Sequence, residues 1–342
     1  MNLLTICRDE AKKNTARVVF PDSLDVRTIK AASTLIEEKL AKPVLIAAPE
    51  ELRDFCVQRG LVLPPVEIVN IKDSVNLTKY ADHLQKKNKD TSVEKAHEQL
   101  SCPLWFSGCM LALGDVDYCV AGNVSSTANV LRAGLKTIGL QKEMKTLSSM
   151  FFMISPHQDI FGFGDCGVVP DPTSEQLADI AISTADNYAR VTGSAARVAM
   201  LSFSTMGSAK HPHSEKVIEA VQFVKSRRPD ITVDGEMQFD AAFVPAIAQS
   251  KAPNSNVAGK ANVFIFPNLS AGNITYKAAE RLGGFTALGP MVQGLAKPMH
   301  DLSRGCSADD MVSVTLLAMK MNPTDAVKSA SGKQNSASLM PS

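Results

Sequence analysis

The chain has few of the features that mark membrane, secreted or nucleic-acid-binding proteins. Its 36 Lys and Arg residues nearly balance its 35 Asp and Glu residues, so the formal net charge is only +1. A near-neutral balance gives no reason to expect a nucleic acid or a membrane surface as partner. No apolar run reaches the length of a membrane span, and the polar N-terminus is too short for a signal peptide. We therefore expect a cytoplasmic protein.

Cysteine is present, but never in a metal-binding or disulfide pattern. The seven cysteines are scattered, and no two of them form a Cys-x-x-Cys pair. An odd number of dispersed thiols favours a reducing compartment and argues against a zinc site. The clustered histidines, His211 and His213, stand just before a predicted helix, where a capping role suits them better than metal ligation. We expect no metal and no cofactor.

Three motifs of nucleotide-binding or hydrolytic enzymes are missing or incomplete. Residues 162–167 match Gly-x-Gly-x-x-Gly, but two prolines follow where a dinucleotide fold needs a helix, so we interpret the stretch as a glycine-rich bend. Residues 254–261 resemble a P-loop without its first glycine and final hydroxyl, and Gly-x-Ser-x-Gly does not occur. The sequence therefore indicates neither a nicotinamide dehydrogenase, nor a P-loop enzyme, nor a serine hydrolase.

What the chain does contain is a regular alternation of strand-like and helix-like segments. Its 342 residues are enough for two ordinary domains. The alternation predicts two α/β domains with mostly parallel sheets. We place the first domain at 1–146 plus 297–322 and the second at 147–296. Residues 323–342 are rich in Ser, Lys, Asn and Pro, and we predict a disordered tail there.

A first candidate anion site is the turn between a predicted strand and helix at 122–132. Ser125, Ser126 and Thr127 stand at the helix start, and Arg132 follows one and a half to two turns later. Free N–H groups at a helix start and nearby hydroxyls bind anions, and an arginine can add a cation. A plain helix cap with a surface arginine would have the same sequence. Both interpretations stay open from the residues alone.

Two further turns of this kind lie in the second half of the chain. One contains Ser204 and Ser208, and the other ends at Asn273. Parallel α/β sheets bind ligands at the carboxyl ends of their strands, where such turns converge. We therefore count these three residues among the predicted substrate-binding residues.

The most informative stretch is 289–310, where glycines and prolines precede a cluster of reactive side chains. Its last eight residues combine an arginine, a thiol, two hydroxyls and two carboxylates: Ser303, Arg304, Cys306, Ser307, Asp309 and Asp310. Such a loop can bind an anion and move a proton. Plainer interpretations compete, because Ser307 and Asp310 also fit a helix capping box and Cys306 fits a small buried thiol.

The stretch 294–307, Gly-Leu-Ala-Lys-Pro-Met-His-Asp-Leu-Ser-Arg-Gly-Cys-Ser, resembles the C-terminal signature of phosphotransacetylases. Other matching stretches run along nearly the whole chain, at 17–22, 122–135, 163–166, 200–209, 234–242, 250–253 and 259–267. The chain is most similar to the short ethanolamine-utilisation branch, which lacks the regulatory N-terminal region of longer members. The resemblance implies two α/β domains with an interdomain active-site cleft, and a homodimer.

The resemblance also implies a phosphate acetyltransferase, which moves acetyl groups reversibly between CoA and inorganic phosphate. Acetyl-CoA and acetyl phosphate would react by direct thiolate attack in a ternary complex. By family motif, Asp310 takes the CoA thiol proton, Arg304 stabilises charge on the acyl phosphate, and Ser303 positions the carbonyl group. Arg132 contacts phosphate or CoA, and Cys306 joins the substrate-binding residues. An ordinary aspartate is a weak base for a thiol, so either its pKa is raised or proton transfer is concerted with attack.

Two positions depart from the family pattern, and both bear on CoA binding. The family usually has an arginine where this chain has Lys86, or Lys87 if the register slips by one. Lysine keeps the charge but loses bidentate phosphate binding. Met206 stands where many members have a lysine. We include Lys86 among the predicted substrate-binding residues.

Alternative functions are a phosphate butyryl- or propionyltransferase and a non-catalytic CoA-binding protein. The ethanolamine link also raises the alternative of packaging in a bacterial microcompartment. The apolar residues near the start, Leu3, Leu4, Ile6 and Cys7, would then form a targeting helix. A first helix of the folded domain is the interpretation that we favour.

Overall fold

The computed structural model describes residues 3–323 of the chain. By its internal contacts, the chain divides into unit 1, Met1–Gly139 with Leu295–Ser342, and unit 2, Leu140–Gly294. Residues 324–342 of the predicted tail lie outside the described residues. None of the helices in the described range is both long and apolar enough to cross a bilayer.

The strands and helices alternate along the described chain. The strands are β1 (Ala16–Phe20), β2 (Ala41–Ile46), β3 (Glu67–Val69), β4 (Tyr118–Ala121), β5 (Ser148–Ile154), β6 (Ile160–Gly164), β7 (Arg197–Leu201), β8 (Thr232–Met237), β9 (Val263–Ile265), β10 (Thr286–Gln293) and β11 (Met299–Asp301). The helices are α1 (Leu3–Ala11), α2 (Val26–Glu37), α3 (Pro49–Gln58), α4 (Leu77–Lys87), α5 (Val93–Leu100), α6 (Pro103–Leu113), α7 (Thr127–Thr137), α8 (Ser174–Thr192), α9 (Pro212–Arg227), α10 (Phe239–Phe243), α11 (Pro245–Lys251), α12 (Leu269–Gly283) and α13 (Ala308–Met321).

Unit 1 is built on a five-stranded parallel sheet with the order β11-β4-β1-β2-β3. Its central strands are continuous apolar runs, and Val18, Val19 and Phe20 are buried. Such runs are typical of parallel strands that are covered on both faces. Helix α13 packs against α1, α2 and β4, while α4, α5, α6 and α7 pack together. The last predicted helix therefore belongs to unit 1.

Unit 2 is built on a six-stranded sheet with the order β10-β5-β6-β9-β7-β8. Strand β5 is antiparallel to both of its neighbours, and the other pairs are parallel. Its core contains edge-to-face aromatic pairs, with Phe163 centred 5.7 Å from Phe264 and 5.3 Å from Phe266. The prediction of two α/β units with mostly parallel sheets is confirmed.

The start of the chain belongs to the folded unit. Helix α1 buries Leu3, Cys7 and Ala11, which share one face at spacings of four residues, and it packs against α13. Residues at this spacing form one helical stripe. The interpretation of this segment as a first domain helix is confirmed.

The glycine-rich stretch 162–167 is not a bend along its whole length, because its first three residues belong to strand β6. A Cβ atom at Gly162 would lie 3.2 Å from a ring carbon of Tyr188, and one at Gly164 would lie 2.5 Å from Thr184 Oγ1. These glycines let helix α8 pack directly on the strand. The prediction was wrong here because this close approach depends on a helix that comes later in the chain.

Helical periodicity in the sequence predicts one helix over 241–251 and another over 273–283, and both predictions need correction. The first is divided into α10 and α11 at Pro245, which lacks the N–H group that a continuous helix would use. Helix α12 begins at Leu269, ahead of the predicted start at Asn273, because Asn268 caps it by accepting from Ala271 N at 3.0 Å. Strands β8 and β11 were not predicted.

Candidate active site

Three loops of unit 1 meet at one edge of its sheet, because they follow three neighbouring parallel strands. Strand β4 lies between β1 and β11, and the loops begin at Pro21, Gly122 and Leu302. The backbone N–H of Leu302 donates to Ala121 O at 2.7 Å. A Cβ atom at Gly122 would lie 2.7 Å from the same Leu302 N, so the turn 122–126 lies directly against the loop 302–307, called here the signature loop.

The turn 122–126 already binds a carboxylate from its own chain. Asp22 Oδ2 accepts hydrogen bonds from the backbone N–H groups of Gly122, Val124 and Ser125, each at 3.1 Å. Asp22 Oδ1 accepts from Ser125 Oγ at 2.8 Å. The turn has the geometry of an anion nest, but Asp22 occupies it. Ser125 therefore shapes the turn, and its predicted contact with substrate has no support in this geometry.

The start of α7 combines capping with one exposed cation. Ser126 is the N-cap residue, and its side chain accepts from Asn129 N at 3.4 Å. Thr127 Oγ1 donates to Asp301 Oδ2 at 2.6 Å, which joins α7 to the end of β11. Arg132 is exposed, and its Nη1 donates to Asn129 Oδ1 at 3.0 Å. The capping interpretation is confirmed for Ser126, while the guanidinium of Arg132 stays accessible to an anion.

Asp301 is a buried acid beneath the turn. It is 2% exposed, and its Oδ1 has no hydrogen-bond partner among residues 3–323. A side chain at Gly122 would collide with Oδ1 and would place its Cβ 2.7 Å from Leu302 N. Loss of solvent raises the pKa of the Asp301 carboxyl to about 6; the Thr127 hydrogen bond opposes this effect and the charge of Asp22 adds to it.

Arg27 ties the signature loop to the turn after β4. Its Nη1 donates to the carbonyl oxygens of Arg304 at 2.7 Å and Cys306 at 3.0 Å, and its Nη2 donates to Asn123 O at 2.8 Å. Asp25 holds the guanidinium through Nε at 3.0 Å and Nη2 at 2.7 Å, and it raises the Arg27 pKa. Sequence reasoning missed Arg27, because an arginine in the first turn of a helix looks like an ordinary surface residue.

Ser303 and Arg304 are exposed on the signature loop. Ser303 Oγ accepts from Gly305 N at 3.2 Å. Within residues 3–323, the guanidinium of Arg304 forms no salt bridge or hydrogen bond. A cation without a counter-charge, held on a loop that Arg27 braces, is well suited to bind an incoming anion.

The capping box at the start of α13 is present. Ser307 Oγ accepts from Asp310 N at 3.1 Å, and Asp310 Oδ2 accepts from Ser307 N at 2.8 Å and Ser307 Oγ at 2.9 Å. Asp310 is exposed, and its Oδ1 accepts no hydrogen bond from the described residues. One carboxylate oxygen therefore caps the helix, and the other is open to a proton donor.

Cys306 lies under the signature loop. It is 8% exposed, and burial raises the pKa of its thiol, although nearby Arg27 partly opposes this. A buried thiol with a raised pKa is a poor nucleophile. Cys306 packs the loop from below, and its predicted contact with substrate has no support in this geometry.

In unit 2, a buried carboxylate occupies the turn that contains Ser204 and Ser208. Glu236 is 2% exposed, and its Oε1 accepts from Ser204 Oγ at 2.7 Å and Gly207 N at 2.9 Å. The hydroxyls of Ser204 and Ser208 lie 3.2 Å apart. These side chains therefore bond within unit 2, and their contact with substrate stays a prediction without support from these bonds. The residues next to Glu236 in the sequence do not predict this role, because its partners lie about 30 residues away.

Asn273 and His211 also bond within unit 2. Asn273 Nδ2 donates to Cys166 O at 3.2 Å, so its predicted contact with substrate also stays unsupported. His211 is the N-cap residue of α9, and its Nδ1 accepts from His213 N at 3.1 Å. The capping interpretation of this histidine is confirmed. Across residues 3–323, no three His, Cys, Asp or Glu side chains are grouped as a metal site would require.

Comparison with known proteins shows the family to which the chain belongs. The sequence profile of the phosphate acetyl/butaryl transferase family matches residues 2–319. The chain belongs to this family. The phosphate acetyltransferase of Acetivibrio thermocellus is 43% identical over 327 residues, which cover 93% of this chain and 97% of that protein. The resemblance seen in the sequence is thereby confirmed.

Two solved structures of phosphotransacetylases are also similar to this family member. The Streptococcus pyogenes phosphotransacetylase has a TM-score of 0.89 at 37% identity, covering 93% of this chain and 97% of that one. The EutD phosphotransacetylase from Staphylococcus aureus has a TM-score of 0.86 at 35% identity, with the same coverage. The fold of this family member is therefore that of phosphotransacetylases.

The predicted residues of this transferase fall into two groups. Unit 1 brings the signature loop, the start of α13 and the start of α7 to one edge of its sheet. Lys86 and Lys87 lie apart from these loops, exposed in the last turn of α4. The exposed residues Ser303, Arg304, Asp310 and Arg132 form the candidate active site of unit 1.

Proposed function

We propose that this enzyme is a phosphate acetyltransferase that moves acetyl groups reversibly between CoA and inorganic phosphate. The observation that carries the proposal is the stretch 303–310, in which the exposed residues Arg304 and Asp310 stand six residues apart and the Arg304 guanidinium has no partner among residues 3–323. The loop belongs to a chain whose curated relative with 43% identity is named phosphate acetyltransferase. CoA, acetyl-CoA, acetyl phosphate and inorganic phosphate are the proposed ligands.

In the proposed reaction, the CoA sulfur attacks the carbonyl carbon of acetyl phosphate directly. A carbon–sulfur bond forms, the bond between the carbonyl carbon and the phosphate oxygen breaks, and inorganic phosphate leaves. Asp310 takes the thiol proton, with its Oδ1 as the accepting atom. Since a thiol of pKa about 8.5 is mostly protonated at neutral pH, removing this proton during attack lets the protonated thiol react with the nucleophilicity of a thiolate.

The reaction also requires positive groups that stabilise the negative charge of the reactants. Negative charge develops on the carbonyl oxygen during attack, and the acyl phosphate is itself an anion. We assign Arg304 to bind this charge and Ser303 to position the carbonyl group. Arg132, exposed on α7, supplies a further cation for phosphate or CoA. Arg27 holds the backbone on which Arg304 stands but is itself bonded to three carbonyls, so its role is positioning.

The test is release of free CoA thiol from acetyl-CoA, with and without inorganic phosphate. Phosphate-dependent release, with acetyl phosphate as co-product, supports the proposal. Release without phosphate indicates a hydrolase, and no release from acetyl-, propionyl- or butyryl-CoA indicates a CoA-binding protein. Comparing kcat/KM for the three donors decides between an acetyltransferase and a butyryl- or propionyltransferase. Replacing Arg304 by Ala should lower kcat by about 10²- to 10³-fold with the fold intact.

We also propose a homodimer that works in the cytoplasm, in ethanolamine utilisation. The similarity to the protein named EutD supports the proposed role in ethanolamine utilisation. Light scattering of the purified chain tests the dimer, and a monomer at assay concentration would contradict it. The alternative location, inside a bacterial microcompartment, is tested by co-sedimentation with protein shells from ethanolamine-grown cells. An even distribution through the cytoplasm would contradict packaging and support the cytoplasmic location.

A further inference from the structure

The proposed reaction needs a proton donor for the phosphate as well as a base for the thiol. Acetyl phosphate is a dianion at neutral pH, so breaking its bond to the carbonyl carbon without a proton would release a phosphate trianion. Such an ion is a poor leaving group, and general acid catalysis avoids it. Asp310 must begin the step ionised, because it takes the thiol proton, so it has no proton of its own to give.

A buried carboxyl lies directly behind the start of α7. Asp301 is 2% exposed, and its Oδ2 lies 2.6 Å from Thr127 Oγ1. Thr127 itself is exposed, and it follows the turn 122–126 that lies against the signature loop. The hydroxyl of Thr127 therefore stands between the buried carboxyl and the surface of the candidate active site. A single proton can cross from one to the other through this hydroxyl.

The surroundings of Asp301 favour its protonated form. Its Oδ1 has no hydrogen-bond partner among residues 3–323, and the adjacent backbone N–H of Leu302 donates to Ala121 O at 2.7 Å instead. Burial raises the pKa of this carboxyl to about 6, although the bond from Thr127 opposes this effect, and the charge of Asp22 adds to it. An acid of this kind still carries a proton at a pH where an ordinary aspartate has lost it.

Other charged groups around Asp301 leave this effect in place. His300, its neighbour on β11, is buried, and burial lowers its pKa to about 4, so the imidazole is neutral where Asp301 titrates. Arg27 is paired with Asp25 at 2.7 Å. Two further arginines, on α7 and on the signature loop, are exposed, where solvent screens their charges: Arg132 and Arg304.

We propose that Thr127 gives a proton to the departing phosphate and that Asp301 replaces this proton. The inference rests on the proposed phosphate acetyltransferase activity. Thr127 Oγ1 contacts the oxygen that joins the carbonyl carbon to phosphorus, so Thr127 is a catalytic residue. Asp301 does not touch the substrate and is a positioning residue that acts through Thr127.

The step balances in bonds and protons. As the carbon–sulfur bond forms, Asp310 takes the thiol proton. As the bond from carbon to the phosphate oxygen breaks, that oxygen takes the proton of Thr127, and Thr127 Oγ1 takes the proton of Asp301 Oδ2. Phosphate leaves with one proton, Asp301 is ionised and Asp310 is protonated, and exchange with water resets both carboxyls. In the reverse direction, ionised Asp301 accepts the proton of phosphate through the same hydroxyl.

The test compares the unaltered chain with Thr127→Val in forming acetyl-CoA from acetyl phosphate and CoA across pH 5 to 8 (about the range in which Asp301 titrates). Valine keeps the branched shape and lacks the hydroxyl. Ionisation of the substrates and of Asp310 affects both proteins alike, so it cancels in the ratio of their kcat/KM values. That ratio should be about 10²-fold or more below pH 6. Above about pH 6 it should fall by up to about tenfold per pH unit, because Asp301 loses its proton.

Two further variants separate proton delivery from packing. Asp301→Asn keeps the shape and an oxygen that accepts from Thr127, but it has no proton to titrate. Its ratio to the unaltered chain should therefore show the same fall above about pH 6. Thr127→Ser returns the hydroxyl and should restore the pH-dependent advantage over Thr127→Val. A purely structural role would lower the rate by one factor at every pH, and thermal unfolding of each variant checks that it is folded.

The outcomes distinguish this inference from the proposed function. If the unaltered chain forms no acetyl-CoA, both proposals are overturned. If it is active but its ratio to Thr127→Val is the same at every pH, only the inference is overturned. Failure of Thr127→Ser to restore the advantage would overturn it as well. Asp310 alone would then carry the proton from the thiol to the phosphate.

Discussion

Replacing Asp310 by Asn separates the two roles of this residue, because an amide can still cap α13 but cannot take a proton. The variant keeps an oxygen that can accept from Ser307 N, as Asp310 Oδ2 does at 2.8 Å. We therefore expect a loss of stability below about 1 kcal/mol. Loss of the general base should lower kcat by about 10²- to 10⁴-fold. That corresponds to roughly 3–5 kcal/mol of transition-state stabilisation.

The matched control is Ser307→Ala, which breaks the same capping box and leaves the carboxylate in place. It removes the hydroxyl that accepts from Asp310 N at 3.1 Å and donates to Asp310 Oδ2 at 2.9 Å. This change should cost about 1 kcal/mol of unfolding free energy, as loss of an N-cap does. Its kcat should stay much closer to that of the unaltered enzyme than the kcat of Asp310→Asn.

Both variants are compared by phosphate-dependent thiol release and by denaturant unfolding. If Asp310 is the general base, Asp310→Asn should have the larger loss of kcat, and Ser307→Ala should have the larger loss of unfolding free energy. If Asp310→Asn keeps its kcat, or if Ser307→Ala loses as much activity, then Asp310 only caps the helix and is not the general base.

Three other changes test how the site is held. Arg27→Lys removes the planar guanidinium that donates to three backbone carbonyls. We expect kcat/KM to fall about tenfold and the free energy of unfolding to fall by about 1–3 kcal/mol. Unchanged kinetics would show that these hydrogen bonds are not needed to position the signature loop. Asp301→Asn should remove a pH dependence of stability. The pKa of Asp301 is about 6 in the folded protein and lies above the ordinary value of 3.8, so the free energy of unfolding should fall by about 3 kcal/mol as the pH rises from about 4 to 6. Parallel plots of unfolding free energy against pH for the unaltered protein and Asp301→Asn would contradict the raised pKa. Gly122→Ala places a Cβ 2.7 Å from Leu302 N at a φ of +102°, and it should cost at least about 2 kcal/mol in thermal or denaturant unfolding; an unchanged melting temperature would count against this contact.

Features that depend on neighbouring residues could be predicted from the sequence alone. Apolar runs and helical periodicity predicted most strands and helices, since each pattern repeats within a few positions. The caps at Ser126, His211 and Ser307 were readable because a capping side chain bonds to N–H groups two or three residues away. The signature loop was recognisable for the same reason, because its reactive side chains are contiguous.

The hydrogen-bond partner of each functional group, in contrast, depends on the tertiary fold. Asp22 fills a turn about a hundred residues away, and Arg27 braces carbonyls at Arg304 and Cys306 near the other end of the chain. Such bonds join a side chain to a distant backbone, so they leave no periodic pattern in the sequence.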